Sequence, residues 1–270
     1  MKVGLILPTF LENPDITFET ALSAEDLGLD GVFVYDHMWP IGHPNQPAIS
    51  ALVILASLTQ ITKKVRLGTL VSRVGLVSDH LLFSDMVTLD TLSANRLIAG
   101  LGTGDKKSVI ENQLLHIKKL SIPERQNSLA KIALQLSKMG VETWIGAGLD
   151  STNKIALQSL AKLNFWDISP EALQEKINTY DYRVVIENSP EDMYSEILTD
   201  PRGDKLPFAA NAGNFTWAGH FPEDRREAAT IYRALSSLGI SWAVFYVKYS
   251  KKERFQGALS LLCEMKQKIG

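Results

Sequence analysis

The residues best suited to proton chemistry are the adjacent pair Asp36-His37, which comes directly after a predicted strand at 31–35. A histidine titrates near neutral pH and a neighbouring acid can tune it, so the pair could exchange a proton with a substrate. The alternative is a histidine on an exposed loop. The position at the end of a strand favours the catalytic interpretation.

A glycine-dense turn, Gly102-Thr103-Gly104-Asp105, follows a second apolar segment at 97–101 and forms another candidate site. Glycine permits positive φ and lets another group approach the backbone closely. Asp105 and Glu111 could each supply a proton. The alternatives are compensation of helix N-terminal charge for both acids, and a solvated helix face for Glu111.

A third candidate is an anion site at Gly146-Ala147-Gly148, where a predicted strand ends and a helix begins. Backbone amides at a helix start, with the hydroxyls of Ser151 and Thr152, could hold a phosphate. The alternative is an ordinary turn with a serine cap.

Apolar spacing predicts eight strands, each followed by a helix. Residues 199–221 have no clear period and are predicted to form an irregular excursion. The pattern predicts a (β/α)8 TIM barrel, class α/β, as a single domain over residues 1–270. A doubly wound open sheet is the alternative if the weak sixth strand is absent. The predicted strands lie at 2–7, 31–35, 65–71, 97–101, 141–145, 164–168, 182–187 and 242–247.

In such a barrel the active site lies where the strands end. The three candidate sites and the end of the third strand would therefore surround one mouth. The third strand brings Leu70, Val71 and Ser72 to that mouth.

The net charge and the cysteine and histidine content exclude several classes of function and of binding site. The net charge of −2 gives no general attraction to nucleic acid or anionic membranes. Cys263 is the single cysteine, which excludes an internal disulfide and a multi-thiolate metal site. We expect a cytoplasmic protein, because the N-terminus lacks a signal-peptide cleavage region and no apolar run spans a bilayer. The remaining histidines lack metal-ligand spacing, so no metal site is predicted: His43, His80, His116 and His220.

Five segments together resemble the bacterial-luciferase-like flavin and deazaflavin oxidoreductases, most clearly over residues 1–168. The Asp-His pair looks most like the branch that uses the deazaflavin coenzyme F420. The segments that carry the resemblance are 31–39, 65–71, 88–96, 100–104 and 144–148.

The resemblance implies roles for individual residues. Asp36 would touch the cofactor, His37 would lie near its hydride-bearing carbon, and Asp105 matches a proton-donating acid. A bulge at Leu70–Val71, usually with a non-proline cis peptide, would back the cofactor ring. Contacts to the ring and phosphate ends would come from Ser72, Thr103, Gly104, Gly146, Ala147, Gly148, Leu149, Ser151 and Thr152.

The resemblance also implies a homodimer that acts on a small-molecule substrate. The chain departs from the family pattern at Leu70, where relatives commonly have a small residue, and at Val77-Ser78-Asp79, where Arg-x-Pro is usual. It also passes directly from helix to strand at 140–141, where relatives often insert a longer segment.

Two alternatives to an F420-dependent oxidoreductase stay open. One is an FMN-dependent monooxygenase on the same fold, since fold alone does not fix chemistry. The other is a non-catalytic flavin-binding protein.

Overall fold

The structure is a computed structural model, and it describes residues 1–40, 43, 46–105, 108–180, 212–249 and 252–269. Parallel strands form its centre and helices surround them. The strands are β1 (Lys2–Ile6), β2 (Gly31–Val34), β3 (Arg66–Thr69), β4 (Ser72–Arg73), β5 (Leu97–Gly102), β6 (Glu142–Gly146), β7 (Lys162–Trp166), β8 (Phe215–His220) and β9 (Trp242–Tyr246).

The strands close into a barrel. β1 pairs with β2 and β9, and the parallel pairing continues through β8, β7 and β6 to β5. Both β3 and β4 pair with β5, so these two short strands share one position. The result is an eight-position parallel barrel, which confirms the predicted (β/α)8 fold.

Helices follow the strands as the pattern predicts, and several begin with a recognisable cap. Ser121 and Glu124 form a capping box, and Ser169 accepts a bond from the Ala172 amide. The helices are α1 (Asp15–Asp26), α2 (Ala51–Ile61), α3 (Asp79–Leu92), α4 (Ser108–Leu114), α5 (Ile122–Lys138), α6 (Asp150–Gln158), α7 (Pro170–Thr179), α8 (Arg225–Ser237) and α9 (Lys252–Ile269). Within the described residues, no helix is both long and apolar enough to cross a membrane.

Aromatic side chains fill the barrel interior. Phe33 lies 5.2 Å from Trp144 and 5.7 Å from Trp242, measured between ring centroids. Glycines on the neighbouring strands make room for these rings, since a Cβ on Gly68 would lie 2.4 Å from Phe33. The interior is therefore packed, and ligands can bind only at its ends.

The third barrel position is interrupted by a bulge, because β3 stops at Thr69 and β4 starts at Ser72. The peptide bond between Leu70 and Val71 is cis, as the family resemblance implies. A Cβ on Gly100 would lie 2.0 Å from the Thr69 carbonyl oxygen. Glycine is thus required at position 100 by the approach of the chain's own bulge.

The predicted seventh strand needs correction. The barrel position between β7 and β9 is taken by β8, Phe215–His220. This strand lies inside the stretch 199–221 that was predicted to be irregular, and its residues are buried except His220. Because both faces are buried, the sequence shows no polar alternation to indicate a strand. The predicted strand 182–187 and residues 199–211 lie outside the described residues.

Candidate active site

The barrel brings the predicted candidates to one end. Asp36 and His37 follow β2, and the turn at Thr103–Gly104 follows β5. The segment that starts at Gly146 follows β6. Because parallel strands end on the same side, these residues share the carboxyl-end mouth of the barrel.

His37 is paired with Glu111 at this mouth. The His37 Nδ1 lies 3.0 Å from Glu111 Oε1, and the two side chains are 18% and 2% exposed. The carboxylate accepts the bond, so Nδ1 carries hydrogen and Nε2 is the atom able to exchange a proton. Glu111 is therefore a buried partner of the histidine. The alternative of a solvated helix face does not hold.

Arg73, at the end of β4, is the charged residue that the sequence analysis missed. Its Nη2 lies 2.5 Å from Glu111 Oε2, and its side chain is 6% exposed. The two groups form an ion pair whose angles do not make a hydrogen bond. An arginine directly after the predicted third strand, between Ser72 and Val74, was the available signal.

The Asp36 side chain, just after β2, binds the backbone of β4 next to the bulge. Its Oδ2 accepts a bond of 2.9 Å from the Arg73 backbone N–H. Burial raises the pKa of the Asp36 carboxyl, and the backbone bond and charge of Arg73 and the charge of His37 oppose the rise. The carboxylate thus holds the position of β4 beside His37.

Asp105 serves as a helix cap. Its Oδ1 accepts bonds from the Ser108 backbone N–H at 2.8 Å and from the Ser108 hydroxyl at 2.9 Å, and the residue is exposed. The carbonyl of Thr103 accepts a bond from Arg125 on α5. Gly104 has φ +75°, as the turn requires. The structure thus places Asp105 in the helix-terminal role that was its alternative.

The bulge residues differ in their surroundings. Leu70 is 6% exposed and packs among the interior side chains, whereas Val71 is partly buried. A Cβ on Gly102 would lie 2.5 Å from a Val71 methyl carbon, so Val71 lies against the glycine turn. The Ser72 hydroxyl is buried and has no hydrogen-bond partner among the described residues.

The predicted anion site is already internally bonded. The Ala147 amide donates to Asn164 O at 2.8 Å, and the Gly148 amide donates to Asn153 Oδ1 at 2.9 Å. The hydroxyls of Ser151 and Thr152 do lie together. Both accept from the Gln126 side-chain amide, at 2.8 and 3.0 Å. Leu149, at the N-cap of α6, is exposed.

A second histidine pair occupies the opposite side of the mouth. Its members are His220 at the end of β8 and Asp167 just after β7, with Nδ1 to Oδ2 at 2.9 Å. The side chains are 59% and 42% exposed. Metal-ligand spacing was the wrong criterion for His220, because its partner is a single carboxylate on the adjacent strand. No metal-binding group of three or more ligands occurs among the described residues.

The family match covers the segment that carries the His37–Glu111 pair. Residues 1–114 match the family described as luciferase-like monooxygenase. The N-terminal part of this chain, less than half of its length, thus resembles this family. Within this part lie Asp36, His37, the bulge, Arg73 and Glu111.

Among curated relatives of this chain is the F420-dependent glucose-6-phosphate dehydrogenase of Amycolatopsis mediterranei. It is 32% identical over 106 residues, which are 39% of this chain and 32% of the relative. The chain thus spans about a third of the length of the curated relatives it matches.

Solved structures extend the likeness of fold to nearly the whole chain. The monooxygenase RslO1 from Streptomyces bottropensis has a TM-score of 0.69 at 14% identity, with 98% of both chains covered. The coenzyme F420 dependent tetrahydromethanopterin reductase from Methanopyrus kandleri has a TM-score of 0.68 at 13% identity, with 98% of this chain and 97% of that chain covered. These solved structures therefore share the barrel fold of this chain beyond residue 114 as well.

Proposed function

We propose that this protein is an oxidoreductase that binds coenzyme F420 at the carboxyl-end mouth and passes a hydride between it and a small organic substrate. The observation that carries the proposal is the buried pair of His37 and Glu111. It lies within residues 1–114, the segment that matches the luciferase-like family, and the chain is also similar to F420-dependent relatives.

The mouth fits a polar heterocycle. The hydroxyls of Thr9, after β1, and Ser72, at the bulge, are buried without hydrogen-bond partners in the described part of the chain. Buried polar groups normally have partners, and the carbonyl and ring nitrogens of a deazaflavin would supply them. Val71 would back the ring. Gly148 has no atom within 4 Å of an added Cβ, which leaves open space for the cofactor beside β6.

The bound cofactor would supply the carbon that gives or takes the hydride. In this proposal His37 Nε2 moves the proton, and Glu111 holds the imidazole through Nδ1. Asp36 positions the bulge through the Arg73 amide. We assign the proton to His37 in preference to Asp105, because the Asp105 carboxylate already caps α4 through Ser108.

The remaining predicted contacts belong to the same proposal. Thr103 and Gly104 would touch the ring, and the segment 146–152 would lie beside the phosphate end. Since the amides of Ala147 and Gly148 are already bonded, the hydroxyl of the exposed Ser151 is the better phosphate ligand, with the buried Thr152 beside it. We expect a homodimer in the cytoplasm.

A fluorescence titration with oxidised F420 and, separately, with FMN tests the proposal. Saturable binding of F420 at micromolar concentration or below, with much weaker binding of FMN, is the expected result. Preference for FMN would replace it with an oxygen-using monooxygenase. Binding of neither would contradict both.

A further inference from the structure

Four aromatic rings form a closed circuit at the ends of β2, β7, β8 and β9. Each ring packs against two others, at interplanar angles between 52° and 89°. The centroid distances are 5.8 Å for Tyr35–Trp166, 5.8 Å for Trp166–His220, 5.3 Å for His220–Tyr246 and 6.1 Å for Tyr246–Tyr35.

The circuit has a buried side and an open side. Tyr35 and Tyr246 are partly buried and pack on the interior cluster that contains Phe33. Trp166 is 43% exposed and His220 is 59% exposed. A large indole left open at a barrel mouth is typical of a binding surface for an apolar or planar group.

The imidazole in this circuit is fixed by its partner. Asp167 accepts two bonds from His220, one from the backbone N–H at 3.1 Å and one at Nδ1 at 2.9 Å. The carboxylate therefore sets the tautomer, with hydrogen on Nδ1. Nε2 is left for a ligand, since no described residue is seen to bond it.

The backbone conformation at Asp167 and the glycine at position 219 position the His220–Asp167 pair. Asp167 has φ +52°, which is uncommon for a residue other than glycine, and its amide donates to Ala218 O at 2.6 Å. A Cβ on Gly219 would lie 2.8 Å from Asp167 Oδ1. Glycine is thus needed at position 219 for the carboxylate to reach His220.

We infer that these strand ends form a substrate subsite for a planar conjugated ring that carries an oxygen. The ring packs on Trp166 and Tyr246, and the oxygen bonds to His220 Nε2. An aromatic carbonyl compound has this chemistry. An organic cation fits less well, because both Asp167 oxygens are already engaged by His220. The inference rests on the proposed function in one respect, namely that the substrate shares the mouth with the cofactor.

The test compares two ketones of similar size, acetophenone and 1-cyclohexylethanone, by ligand-observed NMR titration with and without F420. We expect the wild-type protein to bind acetophenone several-fold more tightly. Trp166→Ala should weaken acetophenone binding about tenfold, since one aromatic contact is worth roughly a kcal/mol beyond its area.

His220→Phe keeps a ring in the circuit and removes Nε2, so it should weaken acetophenone binding at least threefold. His80→Gln, at an exposed histidine on α3, is the matched control and should leave binding unchanged. Circular dichroism of each variant checks that the barrel is intact.

Equal affinity for both ketones, no binding of acetophenone, or unchanged binding in folded Trp166→Ala and His220→Phe would each overturn the subsite. The F420 titration separates this from the proposed function. If F420 fails to bind while the two variants still weaken acetophenone, the subsite stands and the cofactor assignment falls.

Discussion

Two histidine–carboxylate pairs face each other across one barrel mouth, with nearly equal bond lengths and opposite surroundings. His37–Glu111 is buried and has Arg73 as a counter-charge. His220–Asp167 is exposed and is held by a backbone amide.

The difference in burial shows that a histidine–carboxylate pair can contribute to stability in one place and be available for ligand contact in another. A charge taken out of water needs a partner, so His37–Glu111 is tied to the stability of the barrel through Arg73. An exposed pair contributes little to stability, so His220–Asp167 can be altered without unfolding the protein. An exposed pair whose geometry contributes so little to stability is suited to ligand contact.

Removal of the partly buried His37 imidazole should give the largest kinetic effect. His37→Ala should lower kcat for F420-coupled turnover by about 10²–10⁴, the usual contribution of general acid–base catalysis. His220→Phe should mainly raise KM. Steady-state assays of both variants measure the split, and full turnover by His37→Ala with cofactor bound would show that the proton role is wrong.

Loss of the buried counter-charge should give the largest effect on stability. Arg73→Met removes the counter-charge of the buried Glu111 carboxyl and leaves His37 as its remaining partner, which should lower the free energy of unfolding by about 3–5 kcal/mol. The matched control is Arg225→Met, because the Arg225–Glu264 pair is solvent-exposed and should contribute less than about 1 kcal/mol.

Urea denaturation measures both changes. The double variant Arg73→Met with Glu111→Leu should recover most of the loss, since both members of the buried ion pair are removed together. Equal small effects for Arg73→Met and Arg225→Met would contradict the contrast between buried and exposed charges.

A methyl group added at Gly219 should disturb the packing that supports the His220–Asp167 pair. In Gly219→Ala the new Cβ would lie 2.4 Å from the buried Trp217 ring, so repacking should cost about 1–3 kcal/mol. Gly257→Ala is the control, because its Cβ meets no atom within 4 Å and alanine favours a helix over glycine by about 1 kcal/mol. The two unfolding free energies should therefore move in opposite directions.

The smallest expected effect is a pH dependence at Asp36. Burial raises the pKa of this carboxyl above its unfolded value of about 3.9, so its contribution to stability is full below that pH and falls as the pH rises through the folded pKa. Asp36→Asn removes the titration. The wild type should thus lose stability relative to Asp36→Asn as the pH rises above about 4, and a constant difference would refute the sign.

The sequence predicted most of the buried half of the mouth. Parallel strands end on one side, so strand-end placement brought Asp36 and His37 into consideration, and Glu111 was considered as an acid on the helix after the glycine turn. Arg73 was missed because nothing in a strand pattern says that an arginine points to a carboxylate 38 residues further along the chain.

The exposed half was not predictable by the same means. β8 has Gly219 near its end and two buried faces, so it carries no strand pattern. Without β8, His220 could not be placed beside Asp167, which is 53 residues away in the sequence. Once β8 is known, Trp166, Asp167 and His220 are all recognisable as strand-end residues.

The most direct test of the central claim places a side chain in the open space of the mouth. In Gly148→Phe the new Cβ meets no atom within 4 Å, so the fold should persist while the ring occupies the proposed cofactor site. Gly257→Phe, equally unobstructed on α9, is the control. We predict that F420 affinity, measured by fluorescence titration, falls about 100-fold or more in Gly148→Phe, a loss of roughly 2.7 kcal/mol in binding free energy. In Gly257→Phe the affinity should stay at the wild-type value. Undiminished F420 binding by folded Gly148→Phe would contradict a cofactor site at this mouth.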